Sequence, residues 1–199
     1  MNPSELHQTT MTPNETAAPA DELISSLCAT IPDYPRPGIV FKDLTPVFAD
    51  GAALKAVVNA LVEPFKGQFD AVAGVEARGF LLAAAAAYAT GTGVITVRKA
   101  GKLPREVVSE DYALEYGNAT LELHTTDLAP GSRVLILDDV LATGGTLGAA
   151  VRLFERCGVA VAGVGVVMEL DGLGGRSALA GHRAAARQLG GRREELRFG

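Results

Sequence analysis

The residues best suited to carry chemistry stand together between positions 138 and 146. Two carboxylates, Asp138 and Asp139, are followed by the segment Ala142-Thr143-Gly144-Gly145-Thr146. Adjacent glycines let the backbone turn several N–H groups into one concavity, and the two threonines add hydroxyl donors, which together suit a phosphate group. The carboxylates would repel that phosphate, but they can accept hydrogen bonds from the hydroxyl groups of a neighbouring ribose. The segment therefore predicts a site for a ribose 5-phosphate.

The elements on either side would hold this segment at the edge of a sheet. The branched apolar residues from Val134 to Leu137 predict a strand buried on both faces, as in a parallel sheet. Leu147 to Cys157 predicts a helix, whose positive amino-terminal end would add to the phosphate site. An apolar strand that ends in Asp-Asp also resembles a Walker B segment, but the chain contains no G-x-x-x-x-G-K-[ST] partner. A strand, turn and helix without any ligand is the other alternative.

The composition is that of one α/β domain. With 199 residues, of which 48% are hydrophobic, the chain can form a full core, and its net charge of −5 argues against a broad basic face for nucleic acid. Cys28 and Cys157 lack the spacing of a metal site and predict reduced thiols in the cytoplasm. The apolar run from Ala83 to Ala87 is too short to span a membrane. We therefore expect a cytoplasmic protein that binds neither nucleic acids nor membranes.

Strands and helices alternate along most of the chain. The patterns predict helices over residues 21–29, 51–65 and 81–88, and strands over residues 69–74, 94–97, 120–124 and 159–168. This order implies right-handed crossovers and a central parallel sheet flanked by helices. Arg78 follows the end of one strand, so it would lie beside the other strand ends, where an anion can bind.

The stretch from Asp33 to Asp43 is a candidate site for a flat ring. Its prolines favour an extended path. On such a strip Phe41 could stack on a heterocycle while the backbone of Val40 bonds to the edge of that ring. Taken alone, Phe41 would more often be a core residue.

A basic loop occupies the middle of the chain. Arg98, Lys99, Lys102 and Arg105 concentrate positive charge, and a polar connection continues from Ser109 to Gly117. A loop of this length inside a compact domain is usually functional or mobile, and a basic one suits a lid over a polyanion. The alternative is an irregular solvated loop.

Several of these segments resemble the adenine phosphoribosyltransferases, a branch of the type I phosphoribosyltransferases. The resemblance covers roughly residues 21–182 and lies in several motifs in matching order. They are the loop of residues 138–146, Pro37-Gly-Ile-Val-Phe-Lys-Asp43, Arg98-Lys-Ala-Gly-Lys-Leu-Pro104 and Tyr112-Ala-Leu-Glu-Tyr-Gly117. The resemblance implies the type I phosphoribosyltransferase fold, with a small hood over a central parallel sheet. It also implies purine salvage, in which adenine reacts with phosphoribosyl pyrophosphate (PRPP) to give AMP and pyrophosphate.

The same resemblance implies a role for each site residue. The residues that would bind PRPP or AMP are Asp138, Asp139, Ala142, Thr143, Gly144, Gly145, Thr146, Arg98 and Lys99. Those that would bind adenine are Val40, Phe41, Lys42 and Leu170, with Leu170 opposite Phe41. The catalytic residues would be Arg78 and Lys102, which stabilise the departing pyrophosphate, and Glu115, which assists proton movement near the base. Mg²⁺ would be bridged through PRPP and water, with no direct protein ligand. Two copies of the chain would form a homodimer in which Arg98 or Lys99 reaches the partner's site.

Two other functions remain open from the sequence. One is phosphoribosyl transfer to another base, such as xanthine or orotate, which would share the PRPP loop but not the strip around Phe41. The other is a non-catalytic PRPP-binding regulator, which would need a DNA-binding module that is not visible before residue 21.

The two ends of the chain are expected to lie outside the domain of residues 21–182. Residues 1–20 are polar and contain three prolines, which predicts a disordered extension. Residues 183–199 diverge from the family and contain few large apolar side chains, so ordering them would cost more than burial returns. We expect a mobile tail unless it extends an existing sheet or helix. Residues 184–189 could form a helical turn or two.

Overall fold

The computed structural model describes residues 19–114, 117–182 and 184–186. Its helices are α1 (Ala20–Leu27), α2 (Thr45–Ala49), α3 (Gly51–Val62), α4 (Gly79–Thr90), α5 (Gly145–Arg156) and α6 (Gly175–Ala178), with a 3-10 turn at Glu63–Phe65. Its strands are β1 (Ala29–Pro32), β2 (Val40–Asp43), β3 (Ala71–Val75), β4 (Gly93–Lys99), β5 (Val107–Leu114), β6 (Gly117–His124), β7 (Arg133–Leu141), β8 (Ala160–Glu169) and β9 (Ala184–Ala186). Within these ranges, no helix has both the length and the apolar character needed to cross a membrane.

In the described part of the chain, seven strands form one sheet in the order β5-β6-β4-β3-β7-β8-β9. The five strands from β4 to β9 in this order are parallel, whereas β6 and β5 run antiparallel at one edge. The central parallel sheet predicted from the sequence is therefore confirmed. The carboxyl ends of the parallel strands meet at one edge, so the residues that follow β3, β4 and β7 come together there.

The parallel part of the sheet is buried on both faces. Along β3, Ala71, Ala73 and Val75 pack in the cluster that includes α5, whereas Val72 packs in the cluster that includes α1, α3 and α4. Every residue of β3 is buried, which explains its continuous apolar sequence. Because both faces of the sheet are packed, the strand ends that carry the site are held in fixed positions.

A two-stranded sheet of β1 and β2 forms the hood. The extended path predicted from Asp33 to Asp43 is correct only for residues 40–43, because residues 33–39 turn between the two strands. β1 and β2 pair antiparallel, and the carboxylate of Asp33 accepts a hydrogen bond of 2.7 Å from the backbone N–H of Gly38 in the connection between them. Asp43 accepts hydrogen bonds of 2.9 Å from the backbone N–H and 2.8 Å from the hydroxyl of Thr45. These contacts join the end of the hood to α2.

The prediction of a long lid is wrong for most of the stretch from Ser109 to Gly117, because residues up to Leu114 form β5. This strand pairs with β6 along its whole length. Its inward side chains include Val108 and Tyr112, which pack in or against the core. The irregular connection that follows β4 is therefore limited to residues 100–106.

The segment that follows His182 extends the sheet, so the helical turn expected from residue 184 is wrong. β9 pairs in parallel with residues 164–166 of β8, and Ala184 packs against the core. The backbone N–H and C=O groups of an added edge strand form hydrogen bonds with the sheet. Such a strand therefore needs to bury little apolar surface.

The other predictions for the two ends of the chain concern residues that the structure does not describe. Residues 1–18 of the expected extension and residues 187–199 of the expected tail lie outside the described residues. α1 begins at Ala20, which is buried. The folded domain therefore includes Ala20, one residue before the predicted boundary.

Candidate active site

The predicted ribose phosphate segment forms a cavity at the carboxyl end of β7. The cavity measures about 90 Å³ and is lined by Asp138 and residues 140–147. Pockets that enclose a whole small ligand measure about 300–1,000 Å³, so this smaller space suits a phosphate group. α5 begins at Gly145, and the first N–H groups of a helix have no partner within that helix. The predicted residues Ala142, Thr143, Gly144, Gly145 and Thr146 are thus brought together around one anion-sized space.

Gly144 is required by both its conformation and its surroundings. Its φ is +83°, and a Cβ atom there would lie 2.7 Å from Cβ of Ala178 and 2.7 Å from the carbonyl oxygen of Gly175. A Cβ atom on Gly175 would in turn overlap the carbonyl oxygen of Ala142. α6 therefore supports the loop from outside the predicted segment. The pair Gly174-Gly175 is the sequence signal for this contact, which motif reasoning missed.

The two neighbouring carboxylates have different partners. Asp139 is only 5% exposed and accepts a hydrogen bond from Nε of Arg78. Asp138 lines the cavity and accepts a hydrogen bond of 2.9 Å from the backbone N–H of Asp139. The structure thus brings Arg78 to the carboxyl edge of the sheet as predicted, but it does so as the ion-pair partner of Asp139.

The surroundings of Asp138 favour its neutral form. Burial raises the pKa of the Asp138 carboxyl well above its ordinary value, and the negative charge of Asp139 adds to this shift. The positive charge of Arg78, whose guanidinium pairs with Asp139, opposes the shift more weakly. A ligand hydroxyl that donates to Asp138 would replace the hydration that burial removes. Asp138 is therefore the carboxylate suited to receive a polyol.

A third carboxylate, that of Glu76, holds the basic loop in place. It pairs with the ammonium group of Lys102 and with Arg98, whose Nε lies 3.4 Å from Oε2 of Glu76. It also accepts a hydrogen bond of 3.1 Å from the backbone N–H of Lys99. Burial raises the pKa of Glu76, but these contacts outweigh it and hold the pKa below its ordinary value. Glu76 was not predicted from the sequence. A single carboxylate near an anion site has no recognisable pattern, and its role becomes clear only when the positions of its cations are known.

The side chains of two basic residues named from the sequence lie outside this cluster of charges. Arg105 instead pairs with Asp127, at a distance of 2.6 Å. The side chain of Lys99 is exposed, although its backbone N–H binds the loop. Glu115 lies outside the described residues, so its place near the base stays a prediction.

The expected base site lies on the hood. The ring of Phe41 packs edge-on against that of Tyr34, with centroids 5.3 Å apart. Val40 is 39% exposed, which leaves this part of the hood open to a ligand. Lys42 donates a hydrogen bond of 2.8 Å to the hydroxyl of Thr30 across the hood, so its ammonium group stabilises the hood in this structure.

Leu170, on the side of the expected base site opposite Phe41, is hydrogen-bonded to β7. The backbone N–H of Leu170 donates a hydrogen bond of 2.9 Å to the carbonyl of Leu141. Hydrogen bonds from Thr45 lower the pKa of Asp43, and the charge of Arg78 contributes to the same shift. The charge of the cation that pairs with Asp139 therefore also acts at the end of β2.

Comparison with known proteins agrees with this geometry. The family described as "Phosphoribosyl transferase domain" matches residues 46–180. An adenine phosphoribosyltransferase from Arthrobacter sp. (strain FB24) is 81% identical over 183 residues, which are 92% of this chain and 96% of the relative. The chain belongs to the adenine phosphoribosyltransferase family.

Solved structures of adenine phosphoribosyltransferases share the fold. The enzyme from Thermoanaerobacter pseudethanolicus ATCC 33223 has a TM-score of 0.80 and 43% identity, over 84% of this chain and 98% of its own. The enzyme from Saccharomyces cerevisiae has a TM-score of 0.78 and 36% identity, over 85% of this chain and 98% of its own. That second structure is a complex with D-2,5-dideoxy-2,5-imino-altritol 1,6-bisphosphate and adenine. These matches confirm the type I phosphoribosyltransferase fold.

The raised pKa of Asp138 predicts that Asp138→Asn stabilises the unliganded protein at neutral pH. The folded protein keeps a proton that the unfolded chain releases, so stability falls as pH rises from the ordinary pKa of 3.8 towards the raised value. Asparagine removes this cost and retains an acceptor for the backbone N–H of Asp139. We expect the melting temperature at pH 7 to rise by about 2–4 °C, which corresponds to ~1 kcal/mol.

Thermal melts at pH 7 and at about pH 2.5, well below the ordinary pKa of 3.8, test this expectation. The gain should vanish at the lower pH, where the aspartate is protonated in both states. Asp139→Asn is the matched control, and it should lower the melting temperature at pH 7 because it leaves Arg78 without its partner. A melting temperature at pH 7 that Asp138→Asn leaves unchanged or lowers would contradict the proposed burial cost.

Proposed function

We propose that this chain transfers the phosphoribosyl group of PRPP to adenine and releases AMP and pyrophosphate. The observation that carries the proposal is the meeting of Asp138, the phosphate cavity and the Arg78–Asp139 pair at one edge of the sheet. This edge offers a ribose acceptor, a phosphate site and cations for a pyrophosphate. The choice of adenine rests on the relative that is 81% identical and on the adenine complex of the yeast enzyme.

In this proposal the ribose binds to Asp138, and Asp139 positions Arg78. Cleavage of the bond between C1′ and the pyrophosphate oxygen develops positive charge on the ribose and negative charge on the leaving group. When the ribose hydroxyls donate to Asp138, that carboxyl can ionise, and its negative charge then lies beside the electron-poor sugar. The loop of residues 142–146 holds the 5′-phosphate through backbone N–H groups and threonine hydroxyls.

Three cations would stabilise the departing pyrophosphate. Arg78 and Lys102 are 47% and 45% exposed, and Arg98 is 33% exposed, so each has a side open to a ligand. Asp139 and Glu76 hold these cations in place before the anion arrives. Donors that are already positioned need no reorganisation as charge develops, which favours the transition state.

The base would lie between the hood and the end of β8. The exposed backbone of Val40 would bond to the edge of adenine, Phe41 would stack on its face, and Leu170 would close the opposite side. Lys42 would stabilise the hood beside the base through its hydrogen bond to Thr30. A ring nitrogen of adenine loses a proton when it bonds to C1′, and we retain Glu115 as the candidate to accept it.

Mg²⁺ fits this site as a companion of PRPP. Across residues 19–114, 117–182 and 184–186, no group of three or more His, Cys, Asp or Glu side chains could hold a metal ion. Mg²⁺ keeps several waters and binds phosphates with the help of only one or two carboxylates. Asp138 lines the phosphate cavity and is the carboxylate through which such an ion would contact the protein by way of water. When bound, the ion would neutralise charge on the pyrophosphate.

The apolar base site, with polar contacts mainly from the backbone, predicts selectivity for adenine. At equal base concentrations we expect AMP formation to exceed IMP and GMP formation by at least about a hundredfold, because oxo-purines would leave the hood's polar groups mismatched. Chromatography of the nucleotides formed from PRPP with Mg²⁺ measures this, and a parallel reaction with EDTA should give no product. Comparable rates with hypoxanthine or guanine would exclude adenine as the substrate. PRPP binding without turnover would favour a regulator.

We further propose that two chains form a homodimer. Leu81 and Tyr88 lie seven positions apart, and so on one face of α4, and they are 55% and 92% exposed. Val94 in the next strand is 47% exposed. Large apolar side chains exposed on neighbouring elements favour an interface.

We also retain the cytoplasmic location, which is supported by the free thiols of Cys28 and Cys157.

Of the two cations considered for the partner's site, Lys99 is the better candidate. Arg98 is bound within its own chain to Glu76, whereas the side chain of Lys99 is exposed. Mixing Lys99→Ala subunits with Asp138→Asn subunits should therefore restore about a quarter of wild-type activity, because half of the dimers then contain one complete site. Mixing Arg98→Ala with Asp138→Asn is the control and should restore none. Sedimentation measures the dimer, and a failure of the Lys99 mixture to recover would count against shared sites.

A further inference from the structure

Glu110 is a charged residue at an inward-facing position of β5. Val108 and Tyr112, two positions before and after it, pack in or against the core, so the alternation of the strand turns Glu110 toward α5. Its side chain is only 17% exposed and accepts hydrogen bonds of 2.6 Å from Arg152 and 2.9 Å from Arg156. The two arginines are four positions apart and lie on one face of α5. We call this group of three residues the Glu110 clamp.

The strand touches α5 again at the first residue of the helix. A Cβ atom on Gly145 would lie 3.1 Å from the carbonyl oxygen of Ala113 and 3.6 Å from the ring of Tyr112. The helix rises about 10 Å between Gly145 and Arg152, and the strand rises about 10 Å between Glu110 and Ala113. The two contacts therefore match in spacing, and β5 lies along α5 in one antiparallel register.

One end of this register lies at the phosphate cavity. Gly145 and Thr146 line that cavity, so the backbone of Ala113 packs against the same turn that would bind the phosphate. A slip of β5 along the helix would remove Ala113 from Gly145 and leave the first turn of α5 without its outer support. The Glu110 clamp opposes such a slip, because its hydrogen bonds form in one register only.

We propose that Glu110 is a positioning residue for the 5′-phosphate of the ligand. By binding Arg152 and Arg156 it holds β5 against Gly145 and keeps the phosphate-binding turn in shape. This role deepens the proposed function and rests on it. Partly exposed ion pairs contribute little to stability, so the effect of the clamp is on phosphate affinity more than on unfolding.

The test compares Glu110→Ala with Asp70→Ala. Asp70 pairs with Arg133 at 2.7 Å at the opposite end of the sheet, and both of these side chains are about half exposed. We expect Glu110→Ala to raise the Kd for AMP and the KM for PRPP by about five- to tenfold, where tenfold corresponds to 1.4 kcal/mol. The KM for adenine should change by less than about twofold, since adenine has no phosphate. Asp70→Ala should leave all three constants unchanged.

A second variant removes the Glu110 clamp by changing its two arginines on α5. Arg152→Gln combined with Arg156→Gln should reproduce the loss seen in Glu110→Ala, and the triple variant should be no worse than either. Calorimetric titration with AMP and circular dichroism establish affinity and folding for each protein. An unchanged AMP affinity in folded Glu110→Ala, or an equal loss for adenine, would overturn the role of Glu110. Wild-type protein that neither binds AMP nor forms it would instead reject the proposed function and this role together.

Discussion

The site depends on keeping carboxylates beside a phosphate-binding loop without repelling the phosphate. Asp139 is buried but pairs with Arg78, and Glu76 pairs with Lys102. Burial and the negative charge of Asp139 raise the pKa of Asp138 against the weaker effect of Arg78. Cations therefore balance the charges of Asp139 and Glu76, whereas the surroundings of Asp138 favour its neutral form. A polyanion can approach this edge of the sheet because its charges meet cations that the carboxylates have already positioned.

Close backbone packing makes this balance possible. A Cβ atom on Gly79 would lie 2.7 Å from the carbonyl oxygen of Leu137 and 3.1 Å from Oδ1 of Asp138. α4 therefore reaches β7 beside the carboxylates only because residue 79 has no side chain. The contact of Gly144 with Gly175 does the same for the phosphate loop. The parallel sheet is buried on both faces and gives these approaches a rigid base.

Features that depend on a run of consecutive residues could be predicted from the sequence. The apolar strand before the carboxylates and the Gly144-Gly145 turn are examples. The prolines of the hood predicted an extended path, but residues 33–39 turn between β1 and β2. The pairing of Glu76 with Lys102 could not be predicted, because single charged residues carry no periodic pattern. β5 was missed because Glu110 occupies an inward position where alternation predicts an apolar residue. β9 was missed because its alanines have little strand preference, and its pairing with β8 decides the structure.

The central claim is that Asp138 binds the ribose while Asp139 acts through Arg78. Double-mutant cycles of kcat/KM for PRPP test it most directly, with Asp138→Asn and Asp139→Asn each combined with Arg78→Gln. We predict that Asp139→Asn adds less than about threefold to the loss caused by Arg78→Gln, because both changes break one interaction. Asp138→Asn should multiply that loss by a further ten- to a thousandfold, or about 1.4–4.1 kcal/mol, because one or two charge-assisted contacts are removed. Losses that multiply for Asp139 with Arg78, or that fail to multiply for Asp138 with Arg78, would contradict this division of roles.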